Sequence, residues 1–549
     1  MTGSVDVSRR KTKRLQATVQ KAALNEMSKL ITLLSLGAFP GALCLPQWGD
    51  SHHNGPWMTH GPPASGSYDC NEHPFKYVIM ISVDGMHASD VEKWTTYSPN
   101  GNISALLKTG YEYTNAYTSA PSDSFPGTMA QYTGATPKTT GVWYDDTWDR
   151  TFYAPSSGCL GPAGAEVVYD ETKDYNDTLL FSGGIDPANL PQAVINGKCS
   201  NIYPHQRVRV NTLFEVVNAA GHQTAYTDKH PAYDIVRGPS GTGLSVVCCS
   251  SHYERVPQTD DRQGYFPEIA AVANTVEATI AYDQLHVDAW LDWLDAKTPA
   301  NSTIFNSQLT QMPSVFGGNF QAMSVAQKTV GYNNDTTHSF SAAQIQAMTF
   351  VDVSVGAVIN KLKAKNLYND TLILVASKHG QAPIDRSLYA KVDPECITNA
   401  TGVNVAFQTS DDIALIFLNN SADASTAAAN LRAKAAECKI RSVIYGQNLT
   451  DSGFGDPATD PAVPDIIVQP ELGVIYTTSS KKVAEHGGIS SDDRLVACFA
   501  SNPRLKREVF SQRVYTTQVA PTVLKALGLD PGALQGVQKE GTNLLPGFW

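Results

Sequence analysis

The sequence predicts an α/β fold with a mostly parallel central sheet flanked by helices. Two unbroken apolar runs carry that reading. Residues 77–83 are rich in β-branched side chains and stop at Asp84-Gly85, and residues 371–377 stop at Lys378-His379. Runs without polar alternation are strands buried on both faces, as in parallel sheets covered by helices. The third observation is helical spacing of apolar residues over 275–296 and 341–363, between the two runs.

Both runs end in chemistry. Asp84, Lys378 and His379 are thereby placed at the carboxyl edge of the sheet, where open α/β folds bind ligands. Gly85 lets the chain turn sharply there. The plainer alternative for Asp84 is a cap on the helix beginning near Ala88.

The 549 residues allow one or two domains. With 42% apolar and 17% charged residues the chain is globular, and its net charge of −11 argues against a partner such as a nucleic-acid duplex. A small phosphorylated substrate stays compatible, because local cations can oppose the overall field. Residues 1–26 are basic and polar, precede a second methionine and read as an over-extended start. Residues 27–44 have the basic start, short apolar middle and small-residue end of a secretory signal peptide. They are too short and too broken by Pro and Gly to cross a bilayer, and no stable membrane span is expected elsewhere. Residues 45–74 read as a linker.

Secretion has further support. Asn-X-Ser/Thr sequons begin at Asn102, Asn176, Asn301, Asn334, Asn369, Asn399, Asn419 and Asn448, so N-linked glycans are expected. Of nine cysteines, Cys159/Cys199 and Cys396/Cys438 are the bridges expected in an oxidising compartment; Cys70, Cys248, Cys249 and Cys498 are left unassigned.

Further along, Ser124-Phe125-Pro126 opens a helix with proline in its first turn. A hydroxyl there meets unpaired backbone N–H groups and the positive end of the helix dipole, which favours a nucleophile or an anion; an N-cap serine is the commoner case. Residues 146–210, bracketed by Cys159 and Cys199, read as an irregular lid or substrate-facing loop. A helix over 210–220 leads to a short strand ending in Asp228-Lys229-His230, which puts Asp228 or His230 at a site rim or in a loop network. Residues 245–263 read as neither helix nor strand and receive no function. Asp283 and His286 are expected on the surface or at the core edge, and 313–327 as strand then loop. Residues 395–470 form an αβ subdomain, 481–488 a loop, 495–499 a strand and 518–527 a helix.

Asp84-Gly85, Ser124-Phe125-Pro126, Ser377-Lys378-His379-Gly380 and Glu485-His486-Gly487-Gly488 occur in this order. Together they resemble the type I phosphodiesterase/nucleotide pyrophosphatase family of the alkaline phosphatase superfamily, over residues 75–545. The resemblance implies an alkaline-phosphatase-like core in two parts, 75–394 and 471–549, with 395–470 as a smaller inserted αβ cap. It implies divalent zinc-type ions beside a Ser/Thr nucleophile. Carried over residue by residue, Ser124 matches the nucleophile, Asp84 and His379 match ligands of the ion that touches it, and His486 matches a ligand of the other.

Three positions depart from that pattern. Lys378 stands where the family has a ligand aspartate, Met323 and Gln327 stand at its Asp-x-x-x-His pair, and Asp145 stands at an asparagine that holds phosphoryl oxygen. The expected cofactor is therefore one divalent ion, zinc by donor type, rather than two, with Lys378 opposing phosphate charge and Asp228, His230 or Asp145 supplying missing ligands. The sulfatase branch of the superfamily works with one metal plus lysine and histidine. The function so implied is a secreted hydrolase of phosphodiester or pyrophosphate bonds in nucleotide-type substrates, through a phospho-Ser124 intermediate. A sulfate or phosphonate ester hydrolase and a non-catalytic ligand-binding protein are the alternatives.

Overall fold

The computed structural model describes Cys70 and residues 74–168, 185–247, 275–297 and 309–549. Residues 1–26, the expected signal peptide at 27–44, nearly all of the expected linker and most of 245–263 lie outside these residues. Six strands of the central sheet come first: β1 (Tyr77–Val83), β2 (Gly110–Tyr113), β3 (Thr224–Thr227), β4 (Val246–Val247), β5 (Val315–Phe320) and β6 (Thr371–Ala376). The chain then lays down β7 (Val405–Ser410), β8 (Ala414–Leu418), β9 (Ile440–Tyr445) and β10 (Ile466–Pro470), and finally β11 (Cys498–Ser501) and β12 (Glu508–Phe510).

The central sheet has eight strands in the order β12-β2-β11-β6-β1-β5-β3-β4. From β6 to β4 all neighbours are parallel, whereas β11 runs antiparallel to both β6 and β2. The sheet is thus mixed, with a parallel half that carries the expected strands. Its register sets the site: Ser82 of β1 lies opposite both Asn319 of β5 and Ala376 of β6. The residues that follow these three strands therefore emerge side by side.

Burial on both faces explains the uninterrupted apolar runs. Val78 and Met80 of β1 join one cluster, with Leu372 and Leu374, while Ile79, Ile81 and Val83 join the other, with Ile373 and Val375. This is the two-residue alternation of a strand, with both faces packed. Helix α1 (Ser124–Thr133) lies on the first face through Phe125 and Met129. Helices α2 (Val276–Leu294), α3 (Ala322–Thr329) and α4 (Ala342–Ala364) cover the second through Trp290, Val325 and Met348. Among the described residues α4 alone is long and apolar enough to cross a membrane, yet Met348, Val351 and Val355 pack into this core.

Strands β7-β8-β10-β9 form a separate antiparallel sheet, covered by α5 (Ala424–Ala433) through Ala427, Ala428 and Leu431. Helix α6 (Val519–Ala526) returns to the first face of the central sheet. The disulfides Cys159–Cys199 and Cys396–Cys438 both form.

Four local expectations are corrected. The second half of 313–327 is helix α3, because the Asp283 carboxylate accepts from Gln321 N and Ala322 N and caps its start. That same role buries Asp283, and His286 one turn along is buried too, with Nδ1 2.7 Å from Thr227 Oγ1. The strand expected at 495–499 is split: Leu495–Val496 pairs with Ala116–Tyr117, and β11 belongs to the central sheet. Val246–Val247, inside the stretch read as neither helix nor strand, is an edge strand parallel to β3.

Candidate active site

Asp84 follows β1 directly, its N–H still donating to Phe320 O at 2.8 Å. The turn after it needs Gly85: φ is +76°, and a Cβ would meet Gln327 Oε1 at 2.1 Å. On α1 the cap is Asp123, whose carboxylate accepts from Phe125 N at 3.1 Å. Ser124 is thereby the first helical residue, with its hydroxyl released from capping. At the end of β6, Thr118 Oγ1 donates to Lys378 O at 2.6 Å. Helix α1 passes so close that a Cβ on Gly127 would lie 2.1 Å from that same oxygen.

These three elements bring their side chains together. Lys378 Nζ lies 3.2 Å from Asp84 Oδ1 and donates to Tyr233 OH at 2.7 Å. Lys229 Nζ lies 3.9 Å from Asp84 Oδ2 and 3.5 Å from Ser124 Oγ. Asn319 Nδ2 donates to Asp84 Oδ2 at 3.0 Å. His379 Nε2 is 3.4 Å from Ser124 Oγ and 3.7 Å from Asp84 Oδ1. Its Nδ1 is 2.8 Å from Gly380 O, and a carbonyl only accepts, so Nδ1 carries the proton and Nε2 turns a lone pair toward Ser124. The His486 ring packs 3.8 Å from the His379 ring, with Nδ1 3.6 Å from Asp123 Oδ1 and Nε2 3.4 Å from Lys328 Nζ.

Burial governs the electrostatics. It would raise the Asp84 carboxyl, but Lys378, His379, Lys229 and the Asn319 amide outweigh it and hold the group at about 2. Burial, with Lys378 adding to it, brings His379 down to about 3. His486 is pushed well below the usual imidazole range by burial and then by His379 and Lys328. Burial and the neighbouring Asp145 raise Asp123 well above the carboxylate range. At neutral pH the site therefore holds two uncharged imidazoles beside the ionised Asp84.

All five residues picked from the sequence, Asp84, Ser124, Lys378, His379 and His486, lie in this one cluster. Asp228 reaches it through Lys378 Nζ at 3.9 Å, and is also bonded by Tyr226 OH at 2.6 Å. His230 instead packs edge-on against Phe125 and Tyr233. Met323 is buried in the apolar cluster behind the sheet, and Gln327 donates to Gly85 O at 2.8 Å. Neither reaches Asp84; the side chain of β5 that does is Asn319. Sequence reasoning missed Lys229, Tyr233 and Asn319. The strand-end run Asp228-Lys229-His230 held a usable signal for Lys229, because any residue there abuts the same edge.

The sequence profile of the family described as type I phosphodiesterase/nucleotide pyrophosphatase matches residues 78–492. The chain belongs to this family. Among solved structures, it is similar to murine ectonucleotide pyrophosphatase/phosphodiesterase 5, an inactive variant in complex with AMP. The TM-score is 0.51 at 14% identity, over 83% of this chain and 96% of that one, which supports the shared α/β core. No curated protein matches the sequence. Members of the family are phosphodiesterase- and pyrophosphatase-type hydrolases and generally depend on divalent metal.

The residues of this chain do not fit such an ion at Asp84. One carboxylate oxygen faces Lys378 and the other faces Lys229 and the Asn319 amide. A lysine ammonium and the NH2 group of an amide are donors, with no lone pair to offer a cation. Among the described residues no three His, Cys, Asp or Glu side chains converge as metal ligands.

Proposed function

We propose that this chain hydrolyses phosphodiester or pyrophosphate bonds of nucleotide-type substrates through a phospho-Ser124 intermediate. The observation that carries the reading is the position of Ser124 Oγ. It lies at the start of α1, 3.4 Å from a His379 lone pair and 3.5 Å from the Lys229 ammonium. A nucleophile needs a proton acceptor and a charge-stabilising donor within this reach.

In the first step Ser124 Oγ bonds phosphorus, the bond from phosphorus to the leaving oxygen breaks, and the hydroxyl proton passes to His379 Nε2. That nitrogen then protonates the leaving oxygen. Water next gives its hydroxyl to phosphorus and one proton to Nε2, and Ser124 takes that proton back as the Oγ–P bond breaks. Asp84, 3.7 Å from Nε2, stabilises the transient imidazolium. Lys378 and Lys229 oppose the charge that develops on the phosphoryl oxygens. The same geometry would serve a sulfate or phosphonate ester. A non-catalytic ligand-binding reading draws on one fact: Asp84 already pairs with Lys378 and accepts from the Asn319 amide of the chain itself.

Residues 395–470, built around their own sheet, are assigned as a cap that shapes substrate choice. The two disulfides and the sequons support a secreted glycoprotein. The test is hydrolysis of bis(p-nitrophenyl) phosphate by the secreted protein beside Ser124→Ala. Nitrophenol release is lost in the variant while its melting temperature is unchanged. Equal release by both proteins would sink the serine mechanism.

A further inference from the structure

We infer that the ammonium groups of Lys378 and Lys229 replace the divalent cation at Asp84, so that the site binds a tetrahedral oxyanion directly and takes up no zinc there. The inference rests on the reading that the phosphoryl group is held at Ser124.

A zinc ion on Asp84 needs an oxygen lone pair at ~2.0–2.2 Å and open coordination directions beyond it. Lys378 Nζ stands 3.2 Å from Oδ1, and Lys229 Nζ 3.9 Å from Oδ2 with the Asn319 amide at 3.0 Å. A dication there would face two like charges at close range.

Lys378 cannot vacate. It is 1% exposed, its carbonyl is fixed by Thr118 Oγ1, and Gly127 of α1 presses against the same peptide. Its Nζ donates to Tyr233 OH and lies 4.5 Å from the centre of that ring, a cation–π contact.

Lys378 and Lys229 face Asp84 and Asp228, so the group is balanced without a metal. A divalent ion would leave an excess of two positive charges in a buried site. An incoming oxyanion at Ser124 instead meets the Lys229 ammonium, which is 3.5 Å from Oγ. Lysine serves as a compact point charge of the kind that suits phosphate.

The test reads binding rather than turnover. The full chain is dialysed against chelator, its metal content is measured by mass spectrometry, and inorganic phosphate and zinc are titrated separately by calorimetry. The wild type is expected to bind phosphate with the same affinity before and after chelation, and to take up no zinc at this site. Lys229→Ala is expected to weaken phosphate binding about tenfold or more, as for a lost charge-assisted hydrogen bond. Lys378→Asp is expected to gain zinc binding, because it places a second carboxylate beside Asp84 and His379.

Stoichiometric zinc in the wild type whose removal abolishes phosphate binding would overturn the inference. So would unchanged phosphate affinity in Lys229→Ala. Lys229 is partly exposed, so this variant keeps the test decisive even where Lys378→Asp does not fold. Zinc-dependent hydrolysis that still requires Ser124 would sink this inference and leave the serine mechanism standing. Metal-free phosphate binding without hydrolysis would do the reverse.

Discussion

Lys378 Nζ and Asp84 Oδ1 form an ion pair 3.2 Å apart at the ends of the neighbouring parallel strands β6 and β1. Both side chains are almost wholly shielded from solvent, at 1% and 2% exposure. Removing one partner of a buried pair strands the other charge, at a cost of ~3–5 kcal/mol. Lys378→Met is expected near the lower end, because Asp84 keeps Lys229 and Asn319. Adding Asp84→Asn to that variant removes the stranded charge, so the double variant regains most of the loss in urea unfolding. A double variant less stable than the single would refute the pairing.

Gly127 carries a second prediction. A Cβ there meets Lys378 O at 2.1 Å and Lys378 C at 2.8 Å, backbone atoms that cannot swing aside as a side-chain end would. In an open helix Gly→Ala stabilises by ~1 kcal/mol. Here overpacking is expected to reverse the sign and cost ~1–3 kcal/mol. The displaced helix start moves Ser124 off His379, so nitrophenol release falls by about 10²-fold if the ångström-scale alignment matters. Denaturant melts and kcat/KM measured on Gly127→Ala check both parts.

Much of this arrangement is legible in the residues. The runs ending at Asp84 and at Lys378-His379 are legible because strands packed on both faces tolerate only apolar side chains, so the first polar residue marks the sheet edge. Ser124 is legible through Pro126 in the first turn of its helix. Lys229 and Asn319 are not, because a lysine after a short strand looks solvated, and only the β1–β5 register brings Asn319 to Asp84. The place of Met323 is likewise set by tertiary structure: α3 starts right after β5 and turns it into the core. Its start depends on a cap from Asp283, a tertiary contact invisible to local pattern.

His286 links this fold to pH. Burial, with Lys378 adding to it, lowers the imidazole from 6.5 to about 3. The unfolded chain therefore binds a proton that the native state refuses between these values. The stability contributed by neutral His286 is fully present above pH 6.5 and is lost as pH falls toward 3. The slope is about 1.4 kcal/mol per pH unit for one such group. His379, lowered to about 3, acts in the same direction. Asp411, raised to about 7 by burial and then Glu485, acts oppositely: the native state holds its proton, and that contribution is lost as pH rises through 7. Equilibrium unfolding from pH 7 to 4 is expected to show a shallower acid loss in His286→Gln, by up to one proton. An unchanged slope would remove His286 from the account.

The sequons within the described residues divide by structure, Asn176 and Asn301 lying outside them. Asn334, Asn369, Asn399, Asn419 and Asn448 are exposed and open to glycan transfer. Asn102 is half-buried, and its Nδ2 donates to Asp352 O at 2.9 Å and to Asp352 Oδ2 at 3.1 Å. Glycopeptide mass spectrometry of protein expressed through a eukaryotic secretory host is expected to find glycan at several of the five exposed sites and none at Asn102. A fully occupied Asn102 would mean that this contact forms otherwise.

The Cys396–Cys438 disulfide ties the start of the second sheet's segment to the turn between α5 and β9, across 42 residues of sequence. Closing a loop of that length in the unfolded chain is worth ~4 kcal/mol on the chain-entropy estimate. Ile397 beside one cysteine and Cys438 itself join the apolar cluster that holds this sheet against α5. The paired change Cys396→Ser with Cys438→Ser is therefore expected to destabilise this sheet first and the central sheet little. Hydrogen exchange should show faster exchange in β7–β10 with protection retained in β1, β5 and β6. If nucleotide-type substrates are selected by this segment, hydrolysis of a nucleotide ester falls in the variant more than hydrolysis of bis(p-nitrophenyl) phosphate. Equal losses on the two substrates would assign the segment a structural role, with substrate choice made at the Ser124 edge alone.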